Sequence, residues 1–286
     1  MRGLALVVAT VAAACSAGVP ARAATALPGF TRFGAGPSGG ALYEGTIPSA
    51  TAPRPLRPGY VYLPAGFSAT SRYPVVYLLH GMPGDPREYV SPLNIATVAD
   101  GLIARGRTRP FIAVMPAAGP TVRYNGEWAG PWERYLVSDV VPWVDAHLPT
   151  LASRRGRTIA GLSAGGFGAA DIGLRAPGLF GTIESWSGYF HPLHDGPFKH
   201  ASTEEIAAND PALLAEAQAP TMRRLGTRIF VGSGPSHSHW FTEQESVDFA
   251  HELQRLGVRH ALVLEADRGR QYGLQLSAGL VWALGP

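Results

Sequence analysis

Seven short apolar runs, each separated from the next by a polar or amphipathic stretch, limit this chain to a narrow set of folds. They occupy 60–63, 73–79, 111–115, 157–162, 181–186, 228–231 and 260–265, and are rich in Val, Ile, Leu and Tyr. Runs this short and this uniformly apolar suit strands buried on both faces, as in a parallel sheet. Helix patterns lie between them. Trp132, Leu136, Val140, Val144 and Leu148 recur at four-residue steps and give one apolar face, which Pro142 is expected to kink. A second helix is expected over 164–176, stopped by Pro177. Thr242-Glu243-Gln244-Glu245 has the form of a capping box, opening a helix with Phe249, Leu253 and Leu256 on one face and Gly257 at its end. Strands alternating with helices imply an α/β fold: a mostly parallel central sheet, flanked by helices and joined by right-handed crossovers.

With 286 residues, 46% of them hydrophobic, the chain can bury one large core, and 58–286 is expected to form it. Residues 1–23 have the pattern of an export signal. Met1-Arg2 is a short positive start, 3–14 are apolar, and Ala21-Arg22-Ala23 is a cleavage site of the A-x-A kind. The apolar stretch is shorter than the ~20 residues that span a bilayer. Cys15, the only cysteine, lies inside this segment, and its surroundings distantly resemble a lipoprotein cleavage box. Cleavage after Ala23 removes it, which excludes disulfides and thiolate metal sites. The 24 basic residues less Arg2 and Arg22 leave 22 against 21 acidic ones, scattered along the chain, so no electrostatic footprint for nucleic acid exists. Residues 24–57, rich in Gly, Pro, Ala and Ser, are expected to be an irregular lead-in with one candidate edge strand at 41–47. Residues 189–226, with Pro192, Pro197, Pro211 and Pro220, interrupt the alternation and are expected to be an insertion over the sheet edge.

The candidate site centres on Gly161-Leu162-Ser163-Ala164-Gly165. In a chain with 35 glycines that spacing is weak evidence by itself, but its context is specific. A strand at 157–162 precedes Ser163, and Ala164-Gly165-Gly166-Phe167-Gly168 opens a helix with small residues that pack close to a sheet. This is the pattern of a nucleophile elbow, where flanking glycines relieve a strained corner and the helix N-terminus favours negative charge. An oxyanion needs two backbone donors. Ala164 N–H is one, and Met82 N–H, in the His80-Gly81-Met82 turn after the run at 73–79, is the other. His80 is expected to be structural. Trp128 and Trp132 are candidates for the wall of a substrate pocket, with Glu127 beside them.

The run ending Leu78-Leu79-His80-Gly81, followed by Gly161-Leu162-Ser163-Ala164-Gly165-Gly166, resembles the esterase family of α/β hydrolases. That family includes S-formylglutathione hydrolase (esterase D), feruloyl esterases and secreted mycolyltransferases, and the likeness covers about residues 58–284. It implies an α/β-hydrolase fold, Ser-His-Asp/Glu chemistry, no cofactor, and hydrolysis or acyl transfer on a small ester or acyl substrate.

Two places in that pattern are unfilled. The acid should follow the run at 228–231, where Ser233-Gly234-Pro235-Ser236-His237-Ser238-His239 stands. The histidine should follow the last run, where Ala266-Asp267-Arg268-Gly269-Arg270 stands instead, and no histidine occurs after His260. Three readings remain open. The base is relocated, with His237 or His239 oriented by Asp267, or with His191 or His194 in its place. Alternatively, the fold is kept without efficient catalysis, giving a binding or cell-envelope-associated protein. In the third, the last strand is misplaced and His260 is the candidate. Glu245 is expected to serve its helix cap. The His-Ser-His and His-Pro-Leu-His pairs lack a partner set with zinc-ligand spacing, so no metal is expected.

Overall fold

A computed structural model describes residues 27–235, 242–267 and 269–286. The export segment expected at 1–23, and His237 and His239, lie outside the described residues. Nine strands form one sheet among the described residues: β1 (Phe30–Ala35), β2 (Ala41–Gly45), β3 (Gly59–Leu63), β4 (Val75–Leu79), β5 (Ile112–Met115), β6 (Arg157–Leu162), β7 (Thr182–Trp186), β8 (Arg228–Ser233) and β9 (Arg259–Leu264). Their order is β1-β2-β3-β5-β4-β6-β7-β8-β9. The first three pairings are antiparallel, and every pairing from β5 to β9 is parallel. The helices are α1 (Arg87–Val90), α2 (Ile95–Ala104), α3 (Pro131–Arg134), α4 (Val141–His147), α5 (Ala164–Arg175), α6 (Thr203–Ala208), α7 (Pro211–Leu225), α8 (Glu243–Arg255) and α9 (Gln271–Leu284). This is the α/β-hydrolase fold.

Successive residues of the central strands feed two separate cores. Val75, Tyr77 and Leu79 of β4 join Ile159, Phe167, Ala215 and Leu253 on one face. Val76 and Leu78 join Ala99, Leu276 and Leu280 on the other. The two-residue period of a strand sends neighbours to opposite faces, so a sheet covered by helices on both sides needs unbroken apolar runs.

Two stretches differ from the sequence expectation, and a third shows how an expected kink is made. The strand expected at 41–47 is present as β2, but it is not the edge: the unexpected β1 pairs with it in an antiparallel hairpin that extends the sheet, so residues 24–57 are not an irregular lead-in throughout. β1 carries no apolar alternation, since most of it is exposed and a bulge between Arg32 and Gly34 breaks its register. Within 189–226, α7 is the crossover helix between β7 and β8, packed on α5 and α8 through Ala215, Ala219 and Met222. Its prolines suit it. Pro211 stands in the first turn behind the Asp210 cap, and Pro220 faces solvent. Irregular structure is confined to the loop before α6. The apolar stripe from Trp132 to Leu148 is buried as expected, and Pro142 acts through a widened turn over Tyr135–Val140, immediately before α4. Pro142 lacks an N–H and its ring crowds the carbonyl four residues back, so the backbone changes register there.

Candidate active site

Ser163 occupies the corner between β6 and α5 with φ 56° and ψ −122°, a positive-φ conformation that a non-glycine residue adopts only when its surroundings impose it. They do so through the backbone. Ser163 N–H donates to Trp186 O on β7 at 3.0 Å, while its carbonyl accepts from Gly166 and Phe167 N–H at 2.8 and 3.0 Å. The flanking glycines are there for close approach. A Cβ on Gly161 would overlap the Gly165 carbonyl, and one on Gly165 would overlap the Leu79 carbonyl at the end of β4. The corner therefore sits directly against the loop that follows β4.

That loop is held from three sides. Tyr89 OH donates to Leu79 O at 2.7 Å, Trp128 Nε1–H donates to His80 O at 2.9 Å, and Gly126 N–H donates to Met82 Sδ at 3.2 Å. His80 is buried and both ring nitrogens are engaged. Ala118 N–H donates to Nε2 at 3.1 Å, which leaves Nδ1 as the protonated nitrogen, donating to Gly81 O at 2.7 Å. Burial pushes His80 down to about 4. A neutral imidazole with both nitrogens occupied cannot take a proton from Ser163. Ala164 is the first residue of α5, so its N–H has no intrahelical acceptor. Met82 and Ser163 line a cavity of about 340 Å³, together with Gly81, Glu88, Leu93 and Tyr272.

A family model described as Putative esterase matches residues 51–273. The chain belongs to that esterase family. An endo-1,4-beta-xylanase/feruloyl esterase of Xylanibacter ruminicola is 36% identical over 131 residues, 42% of this chain and 18% of that protein. An esterase of Mycobacterium tuberculosis is 34% identical over 134 residues, 45% of this chain and 28% of that protein. The chain thus matches less than a third of the length of these relatives. Among solved structures, a ferulic acid esterase superposes with a TM-score of 0.74 at 22% identity, covering 86% of this chain and 98% of that one. An S-formylglutathione hydrolase of Staphylococcus aureus does so at 0.66 and 18%, covering 85% and 98%. These likenesses carry the fold.

Against the family pattern, the other expected site residues fall in different places. β9 runs as expected, and His260 lies near its start, with Nδ1 on Val258 O at 2.9 Å, far along the strand from the loop that leads to α9. Asp267 is exposed in that loop and accepts from Gly269 N–H at 3.0 Å. His194 is exposed. His191 is bonded through Nδ1 to Glu245 Oε1 at 2.7 Å, and that oxygen also accepts from Phe190 N–H at 2.7 Å. The cap of α8 is Thr242, and the Glu245 carboxylate instead ties down the loop after β7. Its hydrogen bond raises the His191 pKa. Neither His191 nor His194 lines the cavity at Ser163, and among the described residues no side chain hydrogen-bonds Ser163 Oγ.

Trp128 and Trp132 are core residues, 0% and 1% exposed, and do not line that cavity. Their aromatic surroundings account for this. Trp128 packs edge-on against the His80 ring, and Trp132 against Tyr124 and Tyr135. Glu127 is buried with them, accepts from Tyr189 OH, and is pushed up to about 7 by burial. Two cavity residues, Glu88 and Tyr272, were not singled out from the sequence. Their only signal was proximity in the chain to the His80-Gly81 turn and to the loop after the last strand.

Among the described residues, no group of three or more His, Cys, Asp or Glu is arranged to hold a metal ion, and no helix is long and apolar enough to cross a membrane.

Proposed function

We propose that this chain is an exported carboxylic-ester hydrolase that works through an acyl-enzyme on Ser163. The observation that carries this reading is Ser163 itself: a non-glycine residue held at positive φ, at the N-terminus of α5, on the wall of a cavity. Strain of that kind costs of order 1–3 kcal/mol and persists where the surrounding structure imposes it. Here it turns a side chain out of the sheet into open space. Ser163 Oγ attacks the ester carbonyl, and the carbonyl electron pair moves onto oxygen. Ala164 and Met82 N–H groups receive that oxyanion. Collapse of the tetrahedral species expels the alcohol, and water then releases the acid by the same steps. The chemistry calls for no cofactor.

The cavity suits a small ester, and the relatives named feruloyl esterase make hydroxycinnamoyl esters the first natural substrates to try. An alcohol entering in place of water would make the same acyl-enzyme a transferase. The pattern of residues 1–23 supports export, with lipidation at Cys15 as its alternative. The test is turnover of an activated aryl ester by the wild type and by Ser163→Ala. We expect loss of nearly all turnover in the variant. Equal turnover would overturn the serine reading, and absence of turnover in both would favour a binding protein on the esterase fold.

A further inference from the structure

A serine hydroxyl needs a proton acceptor, and the described histidines stay out of the Ser163 cavity. One carboxylate does not. Glu88 stands on α1, a few residues after the oxyanion loop, and lines the same cavity as Ser163. Its two oxygens have different roles. Oε1 accepts from Gly81 N–H at 2.9 Å, which fixes the carboxylate. Oε2 lies 3.9 Å from the point where a Cβ on Gly81 would stand, and Ser163 Cβ lies 3.6 Å from that point. Oε2 and the nucleophile's side chain therefore flank one glycine on the wall of a shared cavity.

The charged and titratable groups around Glu88 leave it as the acceptor. Asp85 is paired with Arg57 at 2.6 Å. Arg87 is exposed and turns to Glu44 at 3.4 Å. Tyr89 OH is bonded to Leu79 O, and Tyr272 stands at the cavity wall. Burial, with the Asp85 charge adding to it, pushes Glu88 up to about 7 against the opposing pull of the Gly81 hydrogen bond. A base with that affinity is half ionised near neutral pH and matched to moving a proton there.

We infer that Glu88 is the general base of the Ser163 cavity, acting through one water between Oε2 and Oγ. The inference rests on the serine reading above. As Oγ bonds to the ester carbon, its proton passes to the water and a water proton passes to Oε2. When the tetrahedral species collapses, the Glu88 carboxylic acid returns a proton along the same path to the departing alcohol oxygen. In the second half the attacking water loses its proton to Oε2, and Ser163 Oγ regains one as it leaves.

The test is the pH profile of kcat/KM for an aryl ester, with wild type, Glu88→Gln and Ser163→Ala. Gln keeps an oxygen for Gly81 N–H and removes the base. We expect a wild-type limb that rises with pH to a plateau, with its midpoint near neutrality. We expect that midpoint to move little with temperature, because carboxylic acids ionise with almost no heat and imidazolium does not. In Glu88→Gln kcat/KM should fall by roughly 10²–10⁴-fold. Unchanged turnover in Glu88→Gln beside lost turnover in Ser163→Ala overturns this inference alone, whereas retention in both overturns the serine reading as well. A wild-type midpoint that falls with temperature as an imidazole's does assigns the base to a histidine such as His237 or His239. That readout needs no variant to fold.

Discussion

Gly165 is the residue of the site least able to accept a side chain. A Cβ there meets the backbone carbonyl of Leu79, and neither β4 nor α5 can move away without displacing Ser163. Gly165→Ala is expected to cost about 1–3 kcal/mol or more in stability and to reduce labelling of Ser163. Denaturant unfolding and active-site titration on one preparation check both, and a variant normal in both would show that the corner has room for a methyl group. His80 makes a different demand. Its imidazole satisfies Ala118 N–H and Gly81 O at once. His80→Ala leaves the buried Ala118 N–H without a partner, at a cost of about 1–3 kcal/mol. The unfolding midpoint should fall accordingly, and ester turnover should fall only as far as the oxyanion loop shifts.

α9 buries Leu276, Leu280 and Ala283 against the sheet, and its Gln275 Nε2–H donates to Ser187 Oγ at 3.0 Å. Leu280→Ala should destabilise by about 2–5 kcal/mol with an unchanged denaturant slope, and a loss below 1 kcal/mol would show that α9 contributes little to the core. The central strands were legible because burial on both faces requires unbroken apolar runs, and their observed ends fall close to the expected ones. α8 was legible from Thr242 and Gly257, whose cap and positive φ follow from side-chain and backbone chemistry alone. β1 and the crossover helix α7 were not, since one is a bulged edge and the other carries Pro220. At the site, Ser163 was legible because its glycines are required by contacts within one strand-turn-helix unit. Glu88 was not, because its place beside Ser163 depends on a short helix folding back under Gly81. Trp128 and Trp132 misled for the complementary reason, since an aromatic cluster reads the same whether it lines a pocket or fills a core.

For the molecule as a whole, buried carboxyl groups set the response to pH. Glu88, Glu127 and Asp171 are pushed up to about 7, and Glu184 to about 8, in each case by burial foremost. A carboxyl whose affinity is higher folded than unfolded adds stability below its unfolded value and loses it as pH rises through its folded one. His80, lowered to about 4, works in the opposite sense, with its contribution complete above about 6.5 and lost as pH falls towards 4. Four groups outweigh one, so the thermal midpoint should be higher at about pH 5.5 than at about pH 8.5. A midpoint that rises across that interval would contradict the burial of these groups. Catalysis should follow the reverse slope, because the ionised form of Glu88 is the base. The most direct measurement of the central claim is intact and peptide mass spectrometry after treatment with a fluorophosphonate. One adduct per chain, on the peptide containing Ser163 and absent from Ser163→Ala, is the expected result. An unmodified wild-type protein that still hydrolyses esters, or an adduct on another residue, would contradict it.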